Sequence, residues 1–179
     1  PLGMEHTYIF QQKDSLRAAQ SFYYQGNRLY PTDKLDGIYG DKNCYTTPRD
    51  LFKFSKAMYA ENFLRKSLKD SIFTPYSNER RGVNNYGLGF RMKVFDNGEK
   101  LTFHNGWWHG SNTAFVHLQK SKVTIIALGN KFSRRLYSAL TLSSLFEDFP
   151  LEREKLNKLM NKEIDTTKEN HDAAAESTE

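Results

Sequence analysis

Apolar residues along this chain follow a helical period in the first half and a strand period in the second. Leu51, Phe54 and Met58 recur at helical spacing behind Thr47-Pro48-Arg49-Asp50. That tetrapeptide supplies an N-cap side chain, a proline at the first helical position and an acid in the first turn, so a helix is predicted there. Phe52, Phe54 and Met58 are assigned to the core. Leu64, Leu68 and Ile72 repeat at intervals of four until Pro75 ends the pattern, predicting a second short helix. From Glu5 to Asn43 no period holds: aromatic residues are scattered among Gly26, Pro31, Gly37 and Gly40, which reads as ordered loop.

Beyond Arg81 the pattern changes. Six glycines fall between Gly82 and Gly110 among aromatic and β-branched residues, which favours strands and tight turns over helix. Phe90 to Phe95 runs into Asp96-Asn97-Gly98-Glu99, where Asn-Gly suits a type I′ turn, and Lys100 to His104 returns. Thr113–Gln119 and Lys122–Gly129 form a second pair around Lys120-Ser121. Val123 to Leu128 is apolar enough for an interior strand covered on both faces. Ser133 caps a helix predicted through Phe146, packed on the strands. Leu151 to Ile164 continues as a short charged helix, and the polar Asp165 to Glu179 is expected to be disordered. The fold class is therefore α+β: an antiparallel sheet from Tyr86 to Asn130, a packed C-terminal helix and a helical and loop region before them. The domain covers 1–150 and a charged tail 151–179.

Composition changes this picture little. With 179 residues, 38% hydrophobic and 14% aromatic, the chain holds enough apolar material for one core. The net charge of +5 is uneven: 151–179 carries eight acids and five bases, leaving the body basic. The basic residues interleave with apolar runs and form no stripe, so no nucleic-acid partner is expected. No stretch is long and apolar enough to span a bilayer. One cysteine, Cys44, excludes an intramolecular disulfide and is expected buried or half-buried. His104, His109 and His117 match no zinc spacing, so no metal is expected.

The candidate chemistry lies at Phe103-His104-Asn105-Gly106-Trp107-Trp108, which sets an imidazole beside a glycine near a strand end. Read alone, Asn105-Gly106 is another hairpin turn, but Asn97-Gly98 already supplies one. Adjacent strand residues face opposite ways, so one of Trp107 and Trp108 serves the core or sheet surface.

The order Pro1-Leu2-Gly3-Met4-Glu5-His6-Thr7, Gly40-Asp41, Thr47-Pro48-Arg49-Asp50-Leu51, Tyr86-Gly87-Leu88-Gly89-Phe90, His104-Asn105-Gly106 and Ile126-Ala127-Leu128-Gly129-Asn130 resembles the serine β-lactamase-related family. That family includes class C β-lactamases, penicillin-binding-protein-like peptidases and esterases. The resemblance covers residues 1 to 150 and implies the C-terminal portion of the β-lactamase/transpeptidase-like fold. It implies that His104-Asn105-Gly106 stands for the K-T-G triplet opposite the nucleophile, with the Trp107 amide an oxyanion donor. Trp108 and Gly89 would line the substrate. An imidazole titrating near about 6.5 in place of the lysine leaves the charge at neutral pH open and favours a broader hydrolase than a strict β-lactamase.

The attacking group itself is missing: no serine stands three positions before a lysine, and no G-x-S-x-G elbow occurs. Tyr76-Ser77-Asn78 matches Y-x-N, but follows the Pro1-Leu2-Gly3-Met4 segment that it precedes in the family, and is read as a decoy in a turn. The expectation is the C-terminal part of a serine hydrolase that forms an acyl-enzyme with an amide, ester or β-lactam, inert without the other half of its domain. The substrate would be a small molecule or peptide with a carbonyl centre, with no cofactor, and the resemblance implies a periplasmic or secreted setting. The alternative is a non-catalytic module holding a peptide or glycan on the same wall.

Overall fold

The computed structural model describes residues 1–31, 33–40, 42–78 and 82–150. Two short strands, β1 (Tyr8–Ile9) and β2 (Cys44–Tyr45), pair antiparallel around the loop region, which holds short 3₁₀ turns at Gln12–Asp14 and Lys34–Gly37. Then come α1 (Pro48–Tyr59) and α2 (Lys66–Ile72), five strands and a 3₁₀ helix, Arg134–Leu145. The strands β3 (Asn84–Tyr86), β4 (Arg91–Val94), β5 (Lys100–Trp108), β6 (Ser111–His117) and β7 (Thr124–Gly129) form one antiparallel sheet in chain order. This architecture lies within one compact unit, Pro1–Phe149. The expected charged helix and disordered tail lie outside the described residues.

The start of α1 follows from its sequence: Thr47 Oγ1 accepts from the Asp50 amide at 3.2 Å and Pro48 takes the first turn. Asp50 does more than its place in that turn suggested. Its carboxylate is buried and accepts from the His6 amide (2.8 Å) and the Thr7 hydroxyl (3.0 Å), tying the N-terminal segment to the helix. Met58 joins Phe73, Phe90 and Met92 in a core between the helices and one face of the sheet, with Phe54 and Phe115 packed against it. Phe52 departs from its core assignment and is 51% exposed. Two helical steps turn through about 200°, so positions 52 and 54 cannot share a face.

Four further expectations are corrected. Asp96-Asn97-Gly98 is not a type I′ turn, because Gly98 alone has positive φ while the Phe95 amide reaches the Glu99 carbonyl across three residues. That is a type I turn closed by a left-handed glycine. The strand β7 sits at the end of the sheet, yet α1 covers one of its faces and the 3₁₀ helix the other, which explains its apolar sequence. The C-terminal helix winds with three residues per turn, and the hydroxyls of Ser138, Thr141 and Ser143 each donate to the carbonyl three residues earlier. Cys44 is exposed on its two-residue strand.

His117 is the buried polar centre of the core face. Its Nδ1 lies 2.8 Å from Ser55 Oγ, and its ring is stacked against Tyr59 and Phe73, with centroids 4.1 and 5.5 Å away. Burial pushes this imidazole down to about 4, so it is neutral at pH 7.

Candidate active site

The strand β5 has two halves with different partners. β4 pairs only with Lys100 to Phe103, whereas β6 pairs from Phe103 to Trp108. His104 to Trp108 therefore has one strand neighbour and one open edge among the described residues. The sequence reading ended this strand near His104; it continues to Trp108, and the turn falls at His109-Gly110. Gly89 explains why β4 stops short. With φ at +79°, it turns the chain out of the sheet two residues before Arg91, a conformation costly for any residue with a Cβ.

Alternation decides which backbone groups meet the open edge. The Glu99 carbonyl accepts from Phe95, on the β4 side. Every second residue of a strand directs its peptide groups to the same side, so Phe103, Asn105 and Trp107 do likewise. For Asn105 and Trp107 no strand waits there among the described residues, and the Trp107 amide faces the open edge.

Side chains divide by the same alternation. His104, Gly106 and Trp108 share the face of Phe115 and Thr113, while Asn105 and Trp107 share the face of Ala114 and Asn112. The five positions thus do not converge from one side. Trp107 is 66% exposed and packs on Phe132, and Asn105 Oδ1 is buried without a hydrogen-bond partner. Gly106 has a packing reason of its own: a Cβ there would meet Thr113 Oγ1 on the adjacent strand. Its carbonyl accepts from the Tyr137 hydroxyl at 3.2 Å.

His104 Nε2 lies 2.9 Å from the hydroxyl of Tyr86, at the end of β3. Burial, and then the nearby Arg91 guanidinium, hold this imidazole below its ordinary value, outweighing the backbone of Asn105. A value below the ordinary one favours the neutral ring at pH 7. Tyr86 had been read only as part of a glycine-containing motif. Nothing in one sequence ties a tyrosine to a histidine two strands away.

The loop region packs against the end of β5 and the turn that follows it. Asp36 Oδ1 accepts from Trp108 Nε1 at 2.6 Å and lies 3.0 Å from His109 Nε2. Partial burial pushes its carboxyl up, but the Asp33 amide, Trp108 and His109 together hold it below the usual range. Tyr30 stacks on His109 and Lys42 lies 4.8 Å from the Trp108 ring centre, so the loop is pinned to the turn between β5 and β6. Between these parts opens a cleft of about 1940 Å³, lined by His104 to His109, Gly89, Arg91 and Asp36.

Other candidate groups stand elsewhere. Ser55 and His117 resemble a nucleophile with its base, but both are buried and neither lines the cleft. Tyr76-Ser77-Asn78 is a clamp after Pro75, with Asn78 Oδ1 accepting from Asn85 Nδ2 at 2.7 Å and the Ser77 amide donating to Asn85 Oδ1. The three histidines face three different partners, and among the described residues no group of three His, Cys, Asp or Glu side chains could hold a metal ion. No helix among them is long and apolar enough to cross a membrane.

Known proteins share this fold. The chain is 32% identical over 97 residues to penicillin-binding protein 4* of Bacillus subtilis, covering 54% of the chain and 22% of that protein. It superposes on the octameric penicillin-binding protein homologue of Pyrococcus abyssi with a TM-score of 0.65 and 23% identity, over 81% of this chain and 34% of the other. On the D-amino acid amidase of Ochrobactrum anthropi the TM-score is 0.56 at 18% identity, over 81% and 50%. At these identities the structural likenesses show the fold alone, and the chain spans half or less of each of these relatives. The family model described as Beta-lactamase matches residues 1–142, so this chain, with its mixed fold and antiparallel sheet, belongs to the beta-lactamase family.

Proposed function

We propose that this chain supplies the substrate-facing wall of a serine hydrolase that forms an acyl-enzyme on an amide, ester or β-lactam carbonyl. The observation that carries the reading is the open half of β5: a cleft-lining strand edge with the Trp107 amide directed outward beside a neutral His104. An extended substrate can lie along such an edge and bond to it through backbone groups. In this reading the Trp107 N–H and the nucleophile's own N–H bind the developing oxyanion. His104 bonds to or exchanges a proton with the substrate, while Trp108 and Gly89 line its path. Asn105 contributes through its backbone, since its side chain faces away from His104. The nucleophile and its lysine come from a part of the intact protein outside this chain, because no serine here stands three positions before a lysine.

The test is to expose the intact protein to a fluorescent penicillin and, separately, to a p-nitrophenyl ester. Covalent labelling or ester turnover is expected, with His104→Ala slowing it by about tenfold, the worth of a hydrogen bond to a charge-bearing group. Unchanged rates in the variant would sink the role of His104. Absence of any adduct or turnover in the unmodified protein would overturn the acyl-enzyme reading. It would leave a binding module, for which the same open edge offers a place to add a peptide strand.

A further inference from the structure

The sequence reading left one feature of the wall unassigned, the contact between Tyr86 and His104. His104 and Arg91 line the cleft, and Tyr86, 38% exposed, does not. Its hydroxyl occupies Nε2 at 2.9 Å, with the two rings edge to face at 89°. A neutral imidazole carries one proton, and the nitrogen without it must accept. Two arrangements are open, Tyr86 donating to Nε2 or accepting from it. Acidity favours the first, because a phenol O–H is a stronger donor than a neutral imidazole N–H and an imidazole nitrogen is a stronger acceptor than a phenol oxygen.

We propose that Tyr86 is a positioning residue that donates to Nε2 and so holds His104 as its neutral Nδ1-protonated tautomer, making the wall offer an uncharged N–H donor instead of a cation. This rests on the reading of His104 as part of the site, and it deepens it. A wall of this kind favours substrates that present a neutral acceptor, such as an amide or ester carbonyl, at the place where a lysine would favour a carboxylate.

The experiment is nitrogen-15 spectroscopy of the histidine rings in the intact protein at pH 7.5, with His104 identified by its loss in His104→Gln. The expected spectrum has a protonated Nδ1 and an unprotonated, hydrogen-bonded Nε2. In Tyr86→Phe, which keeps the ring and removes only the hydroxyl, the Nδ1-protonated population is expected to fall about fivefold relative to the other tautomer, the worth of one neutral hydrogen bond. A doubly protonated ring or an Nε2-protonated ring in the unmodified protein overturns the proposal without any variant. So does a tautomer ratio that Tyr86→Phe leaves unchanged. Because none of these readouts uses turnover, they remain decisive even if the protein proves not to form an acyl-enzyme.

Discussion

Acidification should expose the weakness built into the core at His117. The imidazole is 1% exposed and stacked against Tyr59 and Phe73, and Ser55 hydrogen-bonds to its Nδ1. Its folded value, about 4, lies below the 6.5 of a free histidine. The unfolded chain therefore takes up the proton first. The contribution of His117 to stability is full above pH 6.5 and falls as pH drops through 6.5. It stops falling only below the folded value. One proton linked over this interval costs about 2 kcal/mol by pH 5 and about 3 kcal/mol by pH 4. The carboxylates held below their ordinary values, Asp36 and Asp50, lose their contribution only at lower pH, so the window from 6.5 to 4.5 belongs to histidine. The assay is urea unfolding of the intact protein at pH 7.5, 5.5 and 4.5, beside His117→Phe, which keeps an aromatic ring in the stack and leaves Ser55 bonded to Thr124 Oγ1 at 2.6 Å. The variant should show a flatter dependence, the unmodified protein losing about 2–3 kcal/mol more than the variant between pH 7.5 and 4.5. Parallel pH profiles for the two proteins would refute the argument.

Two other residues give separate tests. Asp36→Ala removes the acceptor shared by Trp108 and His109; it should cost about 1–3 kcal/mol and shift tryptophan fluorescence to the red as Trp108 loses its fixed partner, both read in one urea titration. Unaltered emission with unaltered stability would mean that the loop is held by its stacked rings alone. Gly106→Ala should destabilise the sheet by about 1–3 kcal/mol through the clash with Thr113 Oγ1, and Thr113→Ala in the same chain should recover most of that loss. A double variant no more stable than Gly106→Ala would place the strain elsewhere.

Much of the fold was legible because it is local. Thr47, Pro48 and Asp50 carry the start of α1 within four residues, and period-two alternation with glycine punctuation marks the sheet. The errors also have physical causes. Phe52 was taken as core from its residue type when its helical angle sets it outside. The dipeptide Asn97-Gly98 permits a type I′ turn, but strand register, fixed by the pairing of β4 with Lys100 to Phe103, selects a three-residue loop. The 3₁₀ winding of Arg134–Leu145 depends on hydroxyls closing onto carbonyls three residues back, while its apolar pattern matches an ordinary helix equally well.

The sequence by itself determined which residue types stand at His104 to Trp108, the order of motifs around them and the lack of a serine three positions before a lysine. Those are facts of residue type and spacing. Tertiary structure alone decided that β4 ends at Arg91 and leaves that wall an open edge, that the Trp107 amide meets it, and that Tyr86, Arg91 and Asp36 are its supporting groups. These depend on which strands and loops pair across long separations, and the charge and hydrogen bonds of a side chain are set by neighbours in space.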